Sequence, residues 1–281
     1  MFGGEILMAK ISIAGLMVNT DSREEVTGEI RDRLRQNKKT FIVTPYSEFL
    51  YAAMRDPKIM DLLNSADISI PDGIGIVLAR AFLILPLSFR NRFLKRIQGW
   101  WQIFCLGLLL LFRPNIVYGP FNHKIVGADF VWDLAKLAQE ENKSIYILGG
   151  YGKTPEIVAQ KLLSRYPGLL VAGTSNKLKS DPNVIVDIQN ARPDILLVGF
   201  GPLAQEKWIK DNWAELPVGL AIGLGGTFDY IAGIHTPPPG WMRRAGLEWL
   251  YRLFTQPKRA SRIKNATFGL VNALINYKSS V

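Results

Sequence analysis

The chain is poor in the residues that staple or metallate a fold. Its 281 residues include one cysteine, Cys105, and two histidines. One thiol cannot close an internal disulfide, and this set is too small for a closed zinc site, so neither a disulfide framework nor a structural metal is expected. The pattern points to a reducing compartment. Acids are also scarce: 24 Asp and Glu stand against 34 Lys and Arg, a net charge of +10. That excess suits an anionic partner, whether nucleic acid, phospholipid or a phosphorylated substrate, and charge alone does not choose among them. A secretory leader is not apparent, because Glu5 and Lys10 interrupt the apolar start, which leads into a strand-like stretch, Ile11 to Val18. A cytoplasmic location is expected. No repeat of 20 to 50 residues and no low-complexity tract is found.

What is present is enough apolar sequence, 48% of the chain, to bury a core, which excludes disorder. Short, largely β-branched runs recur at Phe41 to Thr44, Asp67 to Ile70, Ser144 to Leu148, Leu169 to Ala172, Asp194 to Phe200 and Val218 to Leu224. Helical patterns separate them, among them Ser22 to Gln36, Glu48 to Arg55, Ala128 to Glu141, Thr154 to Tyr166 and Ala204 to Trp213. This alternation predicts an α/β fold, a mostly parallel Rossmann-like sheet with helices on both faces.

Candidate functional residues cluster where these strands should end. Pro71-Asp72-Gly73-Ile74-Gly75 follows one strand, making Asp72 the first candidate base; alternatively, Asp72 caps the next helix. Thr44-Pro45-Tyr46-Ser47-Glu48 follows the preceding strand, with Ser47 and Glu48 open to reading as an N-terminal cap, and Thr44 and Asp72 could share one crevice. Gly149-Gly150-Tyr151-Gly152 resembles a phosphate-accommodating turn ahead of a helix N-terminus, although no Walker Gly-Lys-Ser/Thr follows. Gly199-Phe200-Gly201-Pro202-Leu203-Ala204 matches G-x-G-x-x-A, but no acid ends the next strand, so a nicotinamide cofactor is not expected. With Gly223, Gly225 and Gly226 before Phe228-Asp229, three glycine-rich turns fit a nucleotide diphosphate.

Taken in order, Thr44-Pro45-x-Ser47-Glu48-Phe49, Ile70-Pro71-Asp72-Gly73-Ile74-Gly75, Leu148-Gly149-Gly150, Arg192-Pro193-Asp194, Gln205-Glu206-x-Trp208-Ile209, Gly225-Gly226-x-Phe228-Asp229 and Gly246 to Leu253 resemble the TagA/WecG/CpsF family of glycosyltransferases over about Ile11 to Arg262, apart from the Ala81 to Phe121 segment. The resemblance implies an inverting enzyme that moves an N-acetylmannosamine-type sugar from UDP to a polyprenyl-diphosphate-linked sugar in cell-envelope or exopolysaccharide synthesis, such as that of teichoic acid. It implies no required metal or cofactor, the UDP-sugar being a substrate. The family's general base falls on Asp72, its essential threonine on Thr44 and its Gln-Glu pair on Gln205 and Glu206. The substrate-contacting set is expected at Tyr46, Lys124, Gly149, Gly150, Gly199, Gly201, Gly225, Gly226, Phe228, Asp229, Arg243, Arg244 and Arg252. Departures from the family pattern are Tyr46 in place of asparagine, Leu203-Ala204 before Gln-Glu, and His123-Lys124. An inactive sugar-nucleotide-binding or membrane scaffold protein of the same fold is the alternative.

Two segments break the rhythm. Residues 237–281 follow Pro237-Pro238-Pro239 and form a basic appendage to the 1–236 core; between Trp241 and Asn265 seven bases accompany only Glu248, beside Trp241, Trp249, Tyr251 and Phe254. Aromatics among bases favour an anionic membrane surface over nucleic acid. The second is an insertion at about 81–121, containing RNRFLKR and then Ile97 to Phe112, sixteen residues without charge between Arg96 and Arg113. At 1.5 Å per residue this reaches about 24 Å, short of the roughly 30 Å hydrocarbon core. A membrane-dipping hairpin or interfacial helix over Phe89 to Phe112 is expected, with Gly99 and Gly107 permitting a bend; a buried core helix or a partner interface is the alternative. The overall expectation is a peripheral or monotopic protein at the cytoplasmic face of the cell membrane, with self-association into a homo-oligomer left open.

Overall fold

The structure is a computed structural model that describes residues 8–121, 127–240, 242, 247–257 and 260–280. Strands β1 (Lys10–Ile13) and β2 (Leu16–Asn19) form an antiparallel hairpin. The stretch Ile11 to Val18 is therefore two strands rather than one. Ala14 and Gly15 both take positive φ, 50° and 94°, the backbone of a two-residue turn whose twist matches the flanking strands.

The remaining strands, β3 (Thr40–Val43), β4 (Ile68–Ser69), β5 (Ser144–Gly149), β6 (Leu170–Ser175), β7 (Ile195–Gly199) and β8 (Leu220–Gly223), form one parallel sheet in the order β4-β3-β8-β7-β5-β6. Alternate residues feed opposite faces. Phe41, Val43, Tyr146, Leu148, Leu196 and Val198 enter one buried cluster. Ile42, Ile145, Ile147, Ile195, Leu197 and Ile222 enter the other. Both clusters are covered by helices, so every strand of this sheet except the edge strand β6 is buried on both sides, as in parallel sheets generally. The helix Arg23–Arg35 covers the second face and is fixed at its start by a reciprocal capping box between Ser22 and Glu25.

Within residues 81–121, Arg92–Phe112 is one uninterrupted helix rather than a hairpin, followed by the short helix Pro114–Tyr118. It starts at Asn91, whose side chain accepts from the Phe93 and Leu94 N–H groups. Gly99 does not bend it: a side chain there would press on Ile275 at 3.0 Å, so the glycine serves close helix approach. Leu106 and Leu110 join the first cluster.

Beyond the prolines lie the helices Glu248–Thr255 and Ala260–Lys264, a π-helical turn Asn265–Gly269 and the helix Leu270–Ser280. Leu270, Leu274 and Ile275 are buried in the cluster that holds Phe49, Phe82 and Leu106. The last helix thus packs across the core and the helix Arg92–Phe112 together, with Lys278 donating to the Phe82 carbonyl. No helix among the described residues is long and apolar enough to cross a membrane.

Candidate active site

Strand order decides where a ligand can sit. The connection leaving β5 runs outward to β6, whereas that leaving β7 runs the opposite way to β8. Between them the carboxyl ends of the strands open into a crevice, the position where parallel α/β sheets bind ligands. Gly149 and Gly199 pair directly at its floor, and the Gly150 N–H donates to the Gly199 carbonyl at 3.1 Å. Gly149 has φ +93°, and a side chain there would strike the Gly199 backbone at 2.8 Å. Gly201 also has positive φ, with open space where a side chain would stand. Gly149 is buried while Gly199 and Gly201 are partly exposed, so the backbone at the mouth of the crevice can be approached closely, as cradling a diphosphate requires.

The turn after β8 is held from below. Gln205 Oε1 accepts the Gly225 N–H at 3.1 Å and Gln205 Nε2 donates to Glu206 Oε1 at 2.9 Å. Any side chain on Gly223 would collide with both residues. Glu206 is fully buried, and burial pushes its carboxyl up to about 7. Leu203, just before this helix, holds φ +62°, a left-handed conformation rare for leucine. Phe228 is also fully buried, its ring lying where a side chain on Gly199 would be. Gln205, Glu206 and Phe228 therefore build and support the glycine turns, while Gly226 is exposed and Asp229 half-buried.

At the other end of the same edge, β3 and β4 bring Thr44 and Asp72 together. The Asp72 N–H donates to the Pro45 carbonyl at 2.8 Å, locking one strand-end loop to the other. Gly73, at φ +81°, and not Asp72, is the N-cap of the helix Ile74–Ile84, and no side chain caps it. Gly75 lets that helix start against Ser47, whose Oγ would lie 1.8 Å from any added Cβ. Asp72 thus stands one residue ahead of the N-cap, in the loop that leaves the carboxyl end of β4. Ser47 and Glu48 do not cap their helix either, since Tyr46 is its N-cap without a side-chain bond.

The C-terminal segment closes over this end. Burial opposes the charge of Arg252, but its attraction to Tyr230, Glu248 and Asp72 more than offsets that, and its pKa rises above the ordinary value. Its guanidinium sits 5.7 Å from the Tyr230 ring centre, and its buried Nε finds no hydrogen-bond partner among the described residues. Next to it, Glu48 receives a bidentate pair from Arg262, both contacts 2.9 Å, and accepts the Tyr46 hydroxyl at 2.9 Å. Burial raises the Tyr46 pKa, so the phenol stays protonated as a donor. Glu48, Arg262 and Tyr230 are the residues that sequence reasoning missed as site members; the Glu48–Arg262 pair joins positions 214 apart, for which no local spacing gives a signal. Lys124, Arg243 and Arg244 lie outside the described residues. Among the described residues no group of three His, Cys, Asp or Glu side chains is placed to hold a metal.

A parallel α/β sheet with glycine turns at its carboxyl edge and a strand-end carboxylate beside them is the frame of a doubly wound α/β protein with a ligand crevice. The glycosyl transferase WecG/TagA/CpsF family model matches residues 11–91 and 84–280, and the chain belongs to that family, as its ordered motifs imply. It is 30% identical over 223 residues to the N-acetylglucosaminyldiphosphoundecaprenol N-acetyl-beta-D-mannosaminyltransferase of Bacillus subtilis (strain 168), covering 79% of this chain and 74% of that protein. The protein of the same name from Bacillus spizizenii (strain ATCC 23059 / NRRL B-14472 / W23) is 30% identical over 234 residues, 82% of this chain and 77% of its own. That of Staphylococcus aureus (strain MRSA252) is 24% identical over 260 residues, 92% and 89% respectively.

Proposed function

We propose that the protein is an inverting glycosyltransferase that moves an N-acetylmannosamine-type sugar from a UDP-sugar to a polyprenyl-diphosphate-linked sugar, working as a peripheral protein at the cytoplasmic face of the membrane. The observation that carries this reading is that the Thr44 and Asp72 loops, tied by the Asp72 N–H to the Pro45 carbonyl at 2.8 Å, stand on the same carboxyl edge of the sheet as the paired Gly149 and Gly199. From β3 to β5 the crevice spans three strand spacings, about 14 Å, the scale of an extended nucleotide diphosphate.

Asp72 accepts the proton of the acceptor hydroxyl while that oxygen attacks the anomeric carbon from the face opposite the diphosphate. The bond from the anomeric carbon to the diphosphate oxygen breaks, and UDP leaves with the electron pair. Its developing charge is met by Arg252 and by the backbone N–H groups of the glycine turns. Thr44, nearly buried at the β3 end, orients a reacting group beside Asp72. Arg243 and Arg244 of the basic C-terminal segment, and Lys124, which departs from the family's pattern, complete the proposed substrate-contacting set. The names of the relatives support a lipid-diphosphate acceptor, and the basic C-terminal segment supports a membrane location.

The test is a panel of UDP-sugars offered with a GlcNAc-diphosphate-polyprenol acceptor, with the product read by mass spectrometry. The expected result is one added N-acetylhexosamine on the lipid and release of UDP. UDP-sugar binding without any product would overturn the reading in favour of a binding protein.

A further inference from the structure

The helix Arg92–Phe112 packs on the protein with one face only. Gly99, Leu106 and Leu110 are buried, one turn or two apart, against the helix Leu270–Ser280 and the first core cluster. The opposite face carries Phe93, Ile97, Trp101, Phe104, Leu108 and Leu111, all exposed, Phe93 at 70% and Trp101 at 64%. At 1.5 Å per residue this stripe runs about 28 Å without a polar side chain. Soluble monomers rarely leave so long a continuous apolar face bare.

Charge identifies what covers it. No acidic residue stands anywhere between Asp72 and Asp129, while Arg90, Arg92, Lys95 and Arg96 gather at one end of the helix and Arg113 at the other. Arg90, Arg92, Arg96 and Arg113 are exposed. Trp101 stacks near Phe104, ring centres 5.6 Å apart, with Trp100 beside it. Cations at both ends of an apolar stripe, with tryptophans along it, complement the headgroups and acyl boundary of an anionic bilayer. A second copy of this chain would bring the same cations face to face. Because protein lies along the whole other side, the helix cannot be surrounded by lipid, which leaves an orientation in the membrane plane.

We propose that this helix is a monotopic docking surface for an anionic phospholipid bilayer, lying in the plane of the interface with the Phe93–Leu111 stripe in the acyl boundary and the terminal arginines on headgroups. The inference rests on the membrane location proposed above and names the surface responsible. Because the helix packs on Leu270–Ser280, which continues from the segment bearing Arg252 and Arg262, bilayer contact and site closure share one rigid support.

Flotation of the full chain with phosphatidylcholine vesicles, with and without phosphatidylglycerol, tests it. The wild type should float with the anionic vesicles, and Trp101→Glu/Leu108→Glu should lose at least about tenfold in partitioning. Since both side chains are exposed, the variant should keep wild-type circular dichroism. It should also keep transfer to a short-chain, water-soluble acceptor, so a failed transferase reading shows as no transfer by either protein while flotation persists. A nitroxide on Phe104→Cys, in a Cys105→Ser background, gives an independent measurement: vesicles should expose it to oxygen and shield it from a water-soluble nickel complex. Undiminished flotation of the double variant, a nitroxide that stays in water, or a lipid-free dimer that the double variant splits without any vesicle binding would each overturn the proposal.

Discussion

Glu206 illustrates what a single buried carboxyl contributes to such a site. It takes no part in solvent exchange, and its hydrogen bond from Gln205 transmits its position to the Gly225 N–H. Its folded pKa of about 7 lies above the ordinary carboxylate value of 4.5, because burial disfavours the charged form. In that window the folded protein holds a proton that the unfolded chain has released, so stability falls as pH rises from about 5 to about 7 and then levels. The loss over two pH units is on the order of 3 kcal/mol at most. Glu206→Gln should remove most of this slope, measured by urea unfolding at a series of pH values. An unchanged slope in the variant would show that Glu206 does not titrate between folded and unfolded states.

At the scale of elements, the C-terminal segment acts on both the core and the site. Leu274 is 2% exposed within the main cluster, so Leu274→Ala should cost about 2–5 kcal/mol in denaturant unfolding. A cost below 0.5 kcal/mol, on the scale of a surface change, would mean that the last helix is not part of the core. The Glu48–Arg262 pair is different. With Arg262 44% exposed at the side chain, solvent screening leaves it worth about 0–1 kcal/mol, so Arg262→Ala should barely move the unfolding midpoint. It should nevertheless lower transfer roughly 10- to 100-fold, because the pair sets the lid segment against Tyr46 and so places Arg252. Arg262→Lys should recover part of the rate, since it keeps the charge and loses the fork.

For the whole molecule, the architecture was legible because a strand buried on both faces reads as a short continuous apolar run; the ends of β5, β7 and β8 fall within two residues of those expected. Thr44, Asp72 and the glycine turns were legible for the same reason: parallel strands point their carboxyl ends to one edge, so residues just past each run must converge. The β1–β2 hairpin was not, since Ala14-Gly15 sits inside an apolar stretch without a strong turn dipeptide. Gly99 read as a bend because only the packed Ile275 reveals it as a contact point. The Tyr46–Glu48–Arg262 network is assembled by tertiary structure alone, from the start of one helix and the end of the chain.

Asp72, just past β4 and one residue before the Gly73 N-cap, is the proposed base at one end of the crevice. Paired measurement of UDP-sugar affinity and transfer rate in Asp72→Asn tests it most directly, because the amide keeps the shape and removes the proton acceptor. The predicted result is an affinity within about threefold of wild type with transfer slowed about 10²- to 10⁴-fold. Transfer at near wild-type rate in this variant would contradict the assignment.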